Sequence, residues 1–454
     1  MKKSKKINDK LYNNIIENHP RISKLFGLPK IHKEGTPFRP INDFRNSVNY
    51  KLAKTLNKLI SLTNEDFETS TINNSYKMMN HLRELRLPQQ CIFVSFDITS
   101  LYTNLPIPES IQAIEERLTE NQNWKKDDFE NLTVSDISRL LTECLNNTYF
   151  QYGNELYLQN SGCPMGSPIS RTIADIFLQK LEKNIIPKNP KISFWKRYVD
   201  DVFAIIEGDI HDASEIKEKL NSYHPQMQFT MEIEESNEIA FLDILIKRTK
   251  EKEIETSFYR KSSHTDRYLN FHSFHHISQK ISVIDALVYR AFKICSPNHL
   301  QHELNHIKKI LQENIYPIEF INKRIERMRS KFTILNVNTI QIPSIDHNLP
   351  STQNQLQILQ QSNYIDQTLL NDTGNETEKE EYWVPLPYIG KISNQVGGYV
   401  HRKMKWKVTF TPGTKIMNMT RNLKDKEAMN QAGVYSISCN TCKDIYIGET
   451  CHFG

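Results

Sequence analysis

Two adjacent carboxylates, Asp200 and Asp201, lie at the centre of a Tyr-Val-Asp-Asp segment with apolar runs on both sides. This pattern predicts a β-hairpin whose tight turn carries the acids. Two negative charges at one point are unfavourable unless a cation neutralises them, and divalent metal ions prefer carboxylate oxygens. A third acid, Asp97, ends a short apolar strand predicted at residues 93–97. A strand-borne Asp beside a hairpin Asp-Asp pair is the carboxylate set that two-metal phosphoryl transfer requires.

An isolated Asp-Asp pair is most often a solvated turn, so the other sequence blocks decide how this one is interpreted. In chain order they are Leu28-Pro29-Lys30-Ile31-His32-Lys33, Arg39-Pro40-Ile41, Ser95-Phe96-Asp97-Ile98-Thr99-Ser100-Leu101-Tyr102, Gly162-Cys163-Pro164-Met165-Gly166-Ser167-Pro168, Tyr198-Val199-Asp200-Asp201, Phe241-Leu242-Asp243 and residues 258–267. Together they resemble the reverse transcriptase domain of Penelope-like retroelements, from about residue 20 to about residue 300. Further on, Gly433-Val434-Tyr435 and Tyr446-Ile447-Gly448 resemble the opening of a GIY-YIG endonuclease.

The resemblance implies an α+β fold, a right-hand polymerase with truncated fingers, a palm and a helical thumb, followed by a linker and a partial GIY-YIG α/β hairpin. The expected units are fingers at 1–60, palm at 61–274, thumb at 275–340, a disordered polar linker at 341–380, a basic connector at 381–431 and the endonuclease fragment at 432–454. Helices are predicted at 48–62, 111–118, 138–146, 168–181, 278–293 and 298–314, with Ser278 as a candidate N-cap. The last two could pack as a helix-turn-helix.

Charge is distributed unevenly along the 454 residues, whose net charge is +5. Both the N-terminal 60 residues and the stretch 391–427 are strongly basic, which fits contact with a phosphate backbone or a solvated charged surface. No apolar run approaches the ~18 residues of a membrane span, so no membrane partner is expected. Seven widely spaced cysteines argue against a disulfide framework and for a reducing, intracellular compartment. A nuclear rather than cytoplasmic location follows from the resemblance alone.

The resemblance assigns roles to the carboxylates. Asp97 and Asp200 are expected to bridge two Mg²⁺ ions, which Mn²⁺ could replace. Asp201 would support them, because adjacent hairpin residues cannot all face one point. The backbone carbonyl of Ile98 would complete the metal site. The partners would be an RNA template, a DNA primer or target and deoxynucleoside triphosphates.

Other residues are expected at the incoming nucleotide. Tyr102 would place a rigid ring against the sugar C2′ and exclude ribonucleotides; the alternative is an ordinary core tyrosine. Arg39 would hold the triphosphate, because a planar guanidinium matches phosphate geometry. Met165 and Gly166 would lie against the nucleotide and template base, since glycine permits close backbone approach.

Nucleic-acid contacts are expected from two further segments. Lys30 and Lys33 would contact template or phosphate, unless they are plain surface lysines. A primer grip would use the residues of the 258–268 block, namely Arg260, Lys261, Arg267 and Tyr268. Two histidine groups, at 272–276 and 299–306, are interpreted as solvated or phosphate-contacting rather than as zinc sites.

The C-terminal tail offers Tyr435, Tyr446 and Gly448 as remnants of a nuclease site. The helix arginine and metal-binding glutamate of such enzymes do not follow, so endonuclease activity is not expected from this chain. Cys439 and Cys442, with Cys451-His452 behind them, could hold zinc, but their spacing is not a strong signature, and free thiols are the favoured interpretation.

Three functions remain open at this stage. The leading one is an RNA-directed DNA polymerase of a mobile genetic element, adding deoxynucleotides to a DNA 3′-end. The second is a decayed remnant that binds nucleic acid without extending it. The third is a template-independent or DNA-templated polymerase with the same palm.

Overall fold

The computed structural model describes residues 6–30, 35–63, 70–146, 148–339, 383–388, 391–412, 433–438 and 445–450. The chain divides into two compact units. The first comprises Met1–Arg267 and Leu287–Ile310, and the second comprises Tyr268–Ala286 and Leu311–Gly454. The predicted linker at 341–380 lies outside the described residues.

The helices are α1 (Asp9–Ile15), α2 (Tyr50–Ser61), α3 (Ser75–Glu84), α4 (Leu101–Asn104), α5 (Ile107–Glu120), α6 (Val134–Asn146), α7 (Ser170–Ile185), α8 (Ile210–Tyr223), α9 (Ile277–Ile294), α10 (Pro297–Glu313), α11 (Ile318–Thr339) and α12 (Lys391–Met404). The strands are β1 (Ser23–Pro29), β2 (Phe38–Asp43), β3 (Cys91–Ile98), β4 (Tyr149–Tyr152), β5 (Glu155–Leu158), β6 (Ile192–Tyr198), β7 (Asp201–Glu207), β8 (Phe229–Ile233), β9 (Glu238–Phe241), β10 (Ile244–Arg248), β11 (Ile254–Phe258), β12 (Trp383–Tyr388), β13 (Lys407–Pro412), β14 (Gly433–Ser438) and β15 (Ile445–Thr450).

The central sheet of the first unit has the strand order β6-β7-β3-β8, with every neighbouring pair antiparallel. Successive side chains of a strand point to opposite faces, and here both faces are covered. Val94 and Phe96 of β3 belong to a hydrophobic core that includes the helices α5, α6 and α7. Phe93 of β3 and Phe203 of β7 belong to a second core that includes β9, β10 and α3. The sequences of the two inner strands, β3 and β7, are therefore nearly continuous apolar runs.

A second sheet joins distant parts of the sequence in the order β2-β1-β4-β5. Strand β1 pairs antiparallel with β2 and parallel with β4, where Ser23 lies opposite Phe150. The Ser23 hydroxyl donates a hydrogen bond to the Tyr149 carbonyl at 2.8 Å. The N-terminal strands are thus completed by the β4–β5 hairpin, whose residues fall within the predicted palm segment 61–274.

All six predicted helices are present, as α2, α5, α6, α7, α9 and α10, with ends shifted by up to four residues. The suggestion that Ser278 caps the first thumb helix is wrong, because α9 already begins at Ile277. His276 takes that role: its Nδ1 accepts a hydrogen bond from the Ser278 backbone N–H at 3.2 Å. A serine shortly before a hydrophobic run does not by itself identify the N-cap. Neighbouring polar residues compete to accept hydrogen bonds from the same backbone N–H groups at the start of the helix.

The second unit contains regular structure where the sequence indicated only a basic connector. Strands β12 and β13 pair in parallel, and α12 connects them, forming a β-α-β unit. Tyr388 and Phe410, at the C-terminal ends of these strands, pack with Phe274 and His276. Strands β14 and β15 form an antiparallel hairpin in which Tyr435 is paired with Gly448.

Among the described residues, no helix combines the length and the apolarity that crossing a bilayer requires.

Candidate active site

The three acids predicted to act together lie at one end of the central sheet. Strands β3 and β7 pair so that Asp97 lies directly opposite Asp201. Directly opposite residues in an antiparallel pair project to the same face of the sheet. Asp200 lies in the adjoining turn, between Tyr198 at the end of β6 and Asp201 at the start of β7. The predicted hairpin is present, and the strand register pairs Asp97 with Asp201 rather than with Asp200.

The turn between β6 and β7 consists of two residues, Val199 and Asp200. Val199 has a φ of 59°, a left-handed conformation that is unfavourable for a β-branched side chain. Two-residue hairpin turns commonly require positive φ at their first central position, where glycine is the usual residue. Non-glycine residues in such conformations persist only when their surroundings hold them there.

Two hydrogen bonds hold the carbonyl groups of this turn. The Ile98 backbone N–H donates to the Asp200 carbonyl at 3.2 Å. The Arg197 Nη1 group donates to the Val199 carbonyl at 3.0 Å. The turn that carries Asp200 is therefore fixed from one side by β3 and from the other by a buried guanidinium.

Arg197 is 1% exposed, which is exceptional for a permanently charged side chain. Its Nε donates to Glu182 Oε1 at 2.6 Å, and its Nη2 donates to Asp175 Oδ1 at 3.0 Å and to Thr71 Oγ1 at 3.0 Å. Glu182 and Asp175 lie on α7, and Glu182 also accepts a hydrogen bond from Trp195 Nε1 at 3.0 Å. The sequence analysis missed this network. Its signal is the alternation of β6, which places Arg197 two positions after Trp195 and therefore on the same, buried face of the strand.

The pKa of the Asp201 carboxyl reflects the proximity of the three acids. Burial raises the pKa of the Asp201 carboxyl to about 6, and the charges of Asp200 and Asp97 act in the same direction. The ammonium group of Lys261 partly opposes this increase. A carboxylate that is destabilised by two neighbouring carboxylates gains from any cation placed between them.

Among the described residues, no three His, Cys, Asp or Glu side chains are gathered closely enough to hold a metal ion as they stand. The donor set still fits a hard divalent cation in its chemistry. All three side chains offer carboxylate oxygens, the ligands that Mg²⁺ and Mn²⁺ take in proteins. The repulsion at Asp201 supplies the electrostatic reason for such an ion to bind.

Tyr102 lies on α4, immediately after β3, and its ring is half-buried. Burial, and next the nearby charge of Asp200, raise the pKa of its phenol. The Tyr102 backbone carbonyl accepts a hydrogen bond from the Cys163 N–H at 2.7 Å. Gly162 has a φ of +65°, and a Cβ there would lie 2.3 Å from the same carbonyl oxygen. The structure therefore places Tyr102 beside the acids and packs the 162–168 loop on it.

The 162–168 loop also contacts the strand that carries Arg39. The Asn42 N–H donates to the Met165 carbonyl at 2.8 Å. Gly166 has a φ of +134°, and a Cβ there would lie 2.0 Å from the Asn42 carbonyl oxygen. The close approach that Gly166 permits is thus to the backbone of β2. Arg39 lies on the same strand, opposite Leu28, with an exposed side chain.

The basic residues predicted for the primer grip separate into different environments. Lys261 is exposed, and its charge acts on Asp201. Arg260 forms a two-pronged ion pair with Glu303, one contact at 2.9 Å, and lies over the Phe258 ring. These contacts give Arg260 a structural partner within the first unit. Arg267 is the last residue of the first segment of that unit. Tyr268 lies in the second unit, where its N–H donates to Asn314 Oδ1 at 3.0 Å.

Lys30 follows β1 and donates its N–H to the Pro37 carbonyl at 2.9 Å, while Lys33 lies outside the described residues, as do Cys439, Cys442 and Cys451. The backbones of Tyr435, Tyr446 and Gly448 lie in the β14–β15 hairpin. His299 and His306 pair with the carboxylates Glu255 and Asp266 at 3.0 and 3.1 Å.

The buried network makes a testable contribution to stability. Replacing Arg197 with methionine leaves two carboxylates without their counter-charge, so Arg197→Met should lower the free energy of unfolding by about 3–5 kcal/mol. Urea denaturation of the purified chain measures this loss. Arg45→Met is the matched control, because Arg45 pairs with Asp43 on the surface at 2.8 Å and should cost less than about 1 kcal/mol. Equal losses in the two variants would contradict the importance of the network.

The raised pKa of Asp201 predicts a pH-dependent stability. Its folded pKa of about 6 exceeds the ordinary value of 3.8, so the folded state binds more protons in that window and loses stability as pH rises through it. At pH 7 without divalent ions, Asp201→Asn should therefore be more stable than the parent by about 1 kcal/mol, after allowance for solvent screening. The difference should vanish below pH 4. Asp212→Asn is the control of opposite sign, because the Lys191 hydrogen bond lowers the pKa of Asp212.

Comparison with known proteins relates two parts of the chain to known families. Residues 31–239, just under half of the chain, match the family described as reverse transcriptase (RNA-dependent DNA polymerase). Residues 267–326 match the animal helix-turn-helix domain, which supports the predicted helix-turn-helix in the region of α9 and α10. A comparison with curated proteins found no significant match.

Solved polymerase structures share a distant likeness with the chain. Telomerase from Candida albicans, in complex with a fragment of telomeric RNA, is 15% identical, with a TM-score of 0.45 over 71% of this chain and 56% of that one. Telomerase from Candida tropicalis is 14% identical, with a TM-score of 0.44 over 73% and 58%. The Sicinivirus RNA-dependent RNA polymerase is 11% identical, with a TM-score of 0.41 over 70% of each chain.

This chain thus spans less than two thirds of the length of those telomerase chains. TM-scores below 0.5 establish no common fold, and the assignment depends on the family match. The matched family is that of RNA-directed DNA polymerases, which are nucleotidyltransferases. The chain therefore carries a reverse transcriptase domain at residues 31–239, followed by an animal helix-turn-helix domain at residues 267–326.

Proposed function

We propose that this chain is the RNA-directed DNA polymerase of a mobile genetic element, which adds deoxynucleotides to a DNA 3′-end on an RNA template. The observation that carries the proposal is the register that sets Asp97 opposite Asp201, with Asp200 in the adjoining turn, inside a matched reverse transcriptase domain. The reaction forms a bond between the primer 3′-oxygen and the α-phosphorus of the nucleotide, and pyrophosphate leaves.

Asp97, Asp200, Asp201 and the carbonyl of Ile98 would hold two Mg²⁺ ions, which would lower the pKa of the primer hydroxyl and neutralise the triphosphate. The chain's own task is to keep these oxygens in place. The Ile98 and Arg197 hydrogen bonds restrain the turn, so Asp200 does not have to be ordered when substrate arrives. Pre-organised electrostatic groups are the largest source of catalysis in phosphoryl transfer.

Neighbouring side chains would select and orient the substrates. Tyr102 lies within the electrostatic influence of Asp200, which suits a ring that borders the sugar of the incoming nucleotide. Arg39 is exposed on β2 and available to a triphosphate. Lys261 is exposed and close enough to influence Asp201, which suits a contact with the primer backbone beside its 3′-end.

The assignment to a Penelope-like element is a finer part of this proposal. It is supported by the ordered sequence blocks and by the β14–β15 backbone hairpin, whose Tyr435–Gly448 pair suits the first hairpin of a GIY-YIG domain. An animal helix-turn-helix domain after the polymerase fits a protein that engages nucleic acid at more than one place. Action in the nucleus, with RNA template and DNA target as partners, follows from the mobile-element proposal.

The carboxylates give the first test of activity. Asp97→Asn and Asp200→Asn should each reduce primer extension on an RNA template by more than about 10³-fold, because each variant removes a metal ligand. Binding of the RNA–DNA hybrid should change less than about threefold, as gel-shift titration measures. Asp209→Asn is the matched control: Asp209 caps α8 at the far end of β7, and asparagine caps equally well.

The parent protein separates the three candidate functions in the same assay. Magnesium-dependent extension on RNA supports the proposal. Hybrid binding without extension would identify a decayed remnant, and equal extension on DNA or without a template would identify a different polymerase. Normal extension by either carboxylate variant would refute the site.

The sugar-selection role of Tyr102 can be measured separately. Tyr102→Ala should raise the relative kcat/KM for ribonucleotides by at least about tenfold, because it opens space beside C2′. Tyr102→Phe keeps the ring and should leave the ratio unchanged. An unaltered ratio in Tyr102→Ala, with extension of deoxynucleotides intact, would return Tyr102 to the role of an ordinary core residue.

A further inference from the structure

The β-α-β unit of residues 383–412 has an unusual charge composition. Its described segments, 383–388 and 391–412, contain five Lys or Arg residues and no Asp or Glu. The last turn of α12 contributes His401, Arg402 and Lys403, and Lys407 begins β13. A concentration of cations favours an anionic partner.

Large aromatic side chains are exposed on the same unit. Trp383 is 53% exposed, Tyr399 is 57% exposed and Trp406 is 38% exposed. Isolated surface apolar residues are ordinary, but several large rings interleaved with cations in one small unit are typical of surfaces on which bases stack. The aromatic residues at the other ends of the strands, Tyr388 and Phe410, are already packed with Phe274 and His276.

A groove of about 370 Å³ runs beside Trp383, between α12 and the two strands. Asn394, Gly397, Gly398 and His401 line it from the helix, and Lys407 and Val408 line it from β13. Trp383 is paired in register with Lys407, whose Nζ lies 5.1 Å from the centre of the indole ring. The groove thus places a large ring and a positive charge side by side.

Two adjacent glycines of α12, Gly397 and Gly398, line this groove. Each glycine inside a helix costs about 1 kcal/mol relative to alanine. A Cβ at Gly397 would approach the Phe410 ring to 3.0 Å, which gives a packing reason for that glycine. A Cβ at Gly398 would meet nothing closer than 3.6 Å, so packing does not require glycine there. The missing side chain at 398 leaves room in the groove.

We propose that the groove of residues 383–412 is a binding site for single-stranded nucleic acid. A base stacks on Trp383, and the flanking phosphates are neutralised by Lys407 and Arg402. The exposed rings favour a single strand over a duplex, because only unpaired bases offer a free face for stacking. Lys407 lines the groove and Arg402 lies beside Gly398, and these two cations favour a polyanionic ligand. The inference does not depend on the polymerase activity proposed above.

Tryptophan fluorescence of the full chain provides the test. The chain has four tryptophans, of which Trp124 and Trp195 are buried, at 0% and 6% exposed. Acrylamide therefore quenches mainly Trp383 and Trp406. A saturating oligo(dT) or oligo(U) 12-mer should protect this emission from acrylamide, and Trp383→Phe should remove most of the protected signal. A blunt duplex of equal length should give no protection.

Variants then separate stacking from charge. In fluorescence anisotropy with a labelled 12-mer, Trp383→Ala should weaken binding about tenfold, whereas Trp383→Phe keeps a ring and should remain within about twofold of the parent. The double variant Arg402→Ala/Lys407→Ala should reduce the salt dependence of log K by about 1.4, the value for two phosphate contacts on a single strand. Lys183→Ala/Lys188→Ala, two exposed lysines of the first unit, is the matched control for lost charge.

The proposal is overturned if the oligonucleotide leaves Trp383 as accessible to acrylamide as before. It is also overturned if anionic phospholipid vesicles protect Trp383 and the oligonucleotide does not. Primer extension on a short hairpin template should be unchanged in all these variants, so loss of polymerase activity and loss of this site are distinguishable.

Discussion

The fully buried Arg197 is the interaction on which the geometry of the acids depends. A guanidinium with 1% exposure has lost its hydration, and only the carboxylates of α7 and two further acceptors replace it. Replacing a whole buried ion-pair network with well-packed apolar residues is often neutral for stability. What an apolar residue could not do is donate a hydrogen bond to the strained Val199 carbonyl. The charge is retained where it fixes the turn that presents Asp200.

The central sheet supplies the rigidity that this arrangement needs. Strand β3 is covered on both faces, with Val94 in one core and Phe93 in the other. A strand confined from both sides cannot change register, because a shift of one residue would reverse the facing of every side chain. Asp97 is thus set opposite Asp201 by packing that lies away from the acids. The unfavourable φ of Val199 occurs in the turn between β6 and β7, where the chain leaves the central sheet.

The sequence predicted the local features well and the long-range ones poorly. The strand bearing Asp97, the Asp-Asp hairpin and six helices follow from periodicity, flanking apolar runs and cap signals that lie within a few residues of each other. The partner of β1 could not be predicted, since β4 is separated from it by more than a hundred residues of unrelated sequence. The contact of Gly166 with the Asn42 carbonyl is also long-range in sequence and could not be predicted. The β-α-β unit was not predicted either, because its two parallel strands can pair only when the crossover helix connects them. Arg197 was overlooked because a charged residue in a strand is ordinarily assigned to the solvent face.

The parallel pairing of β1 with β4 also has a consequence for synthesis of the protein. Ser23 and Tyr149, joined by a hydrogen bond, are separated by 126 positions. At translation rates of about 5–20 residues per second, the edge of β1 emerges from the ribosome roughly 6–25 seconds before its partner. During that interval the β1–β2 hairpin presents an unpaired strand edge, which is a template for pairing with other chains. The sheet that begins with the nascent β1–β2 hairpin is therefore completed only when β4 arrives.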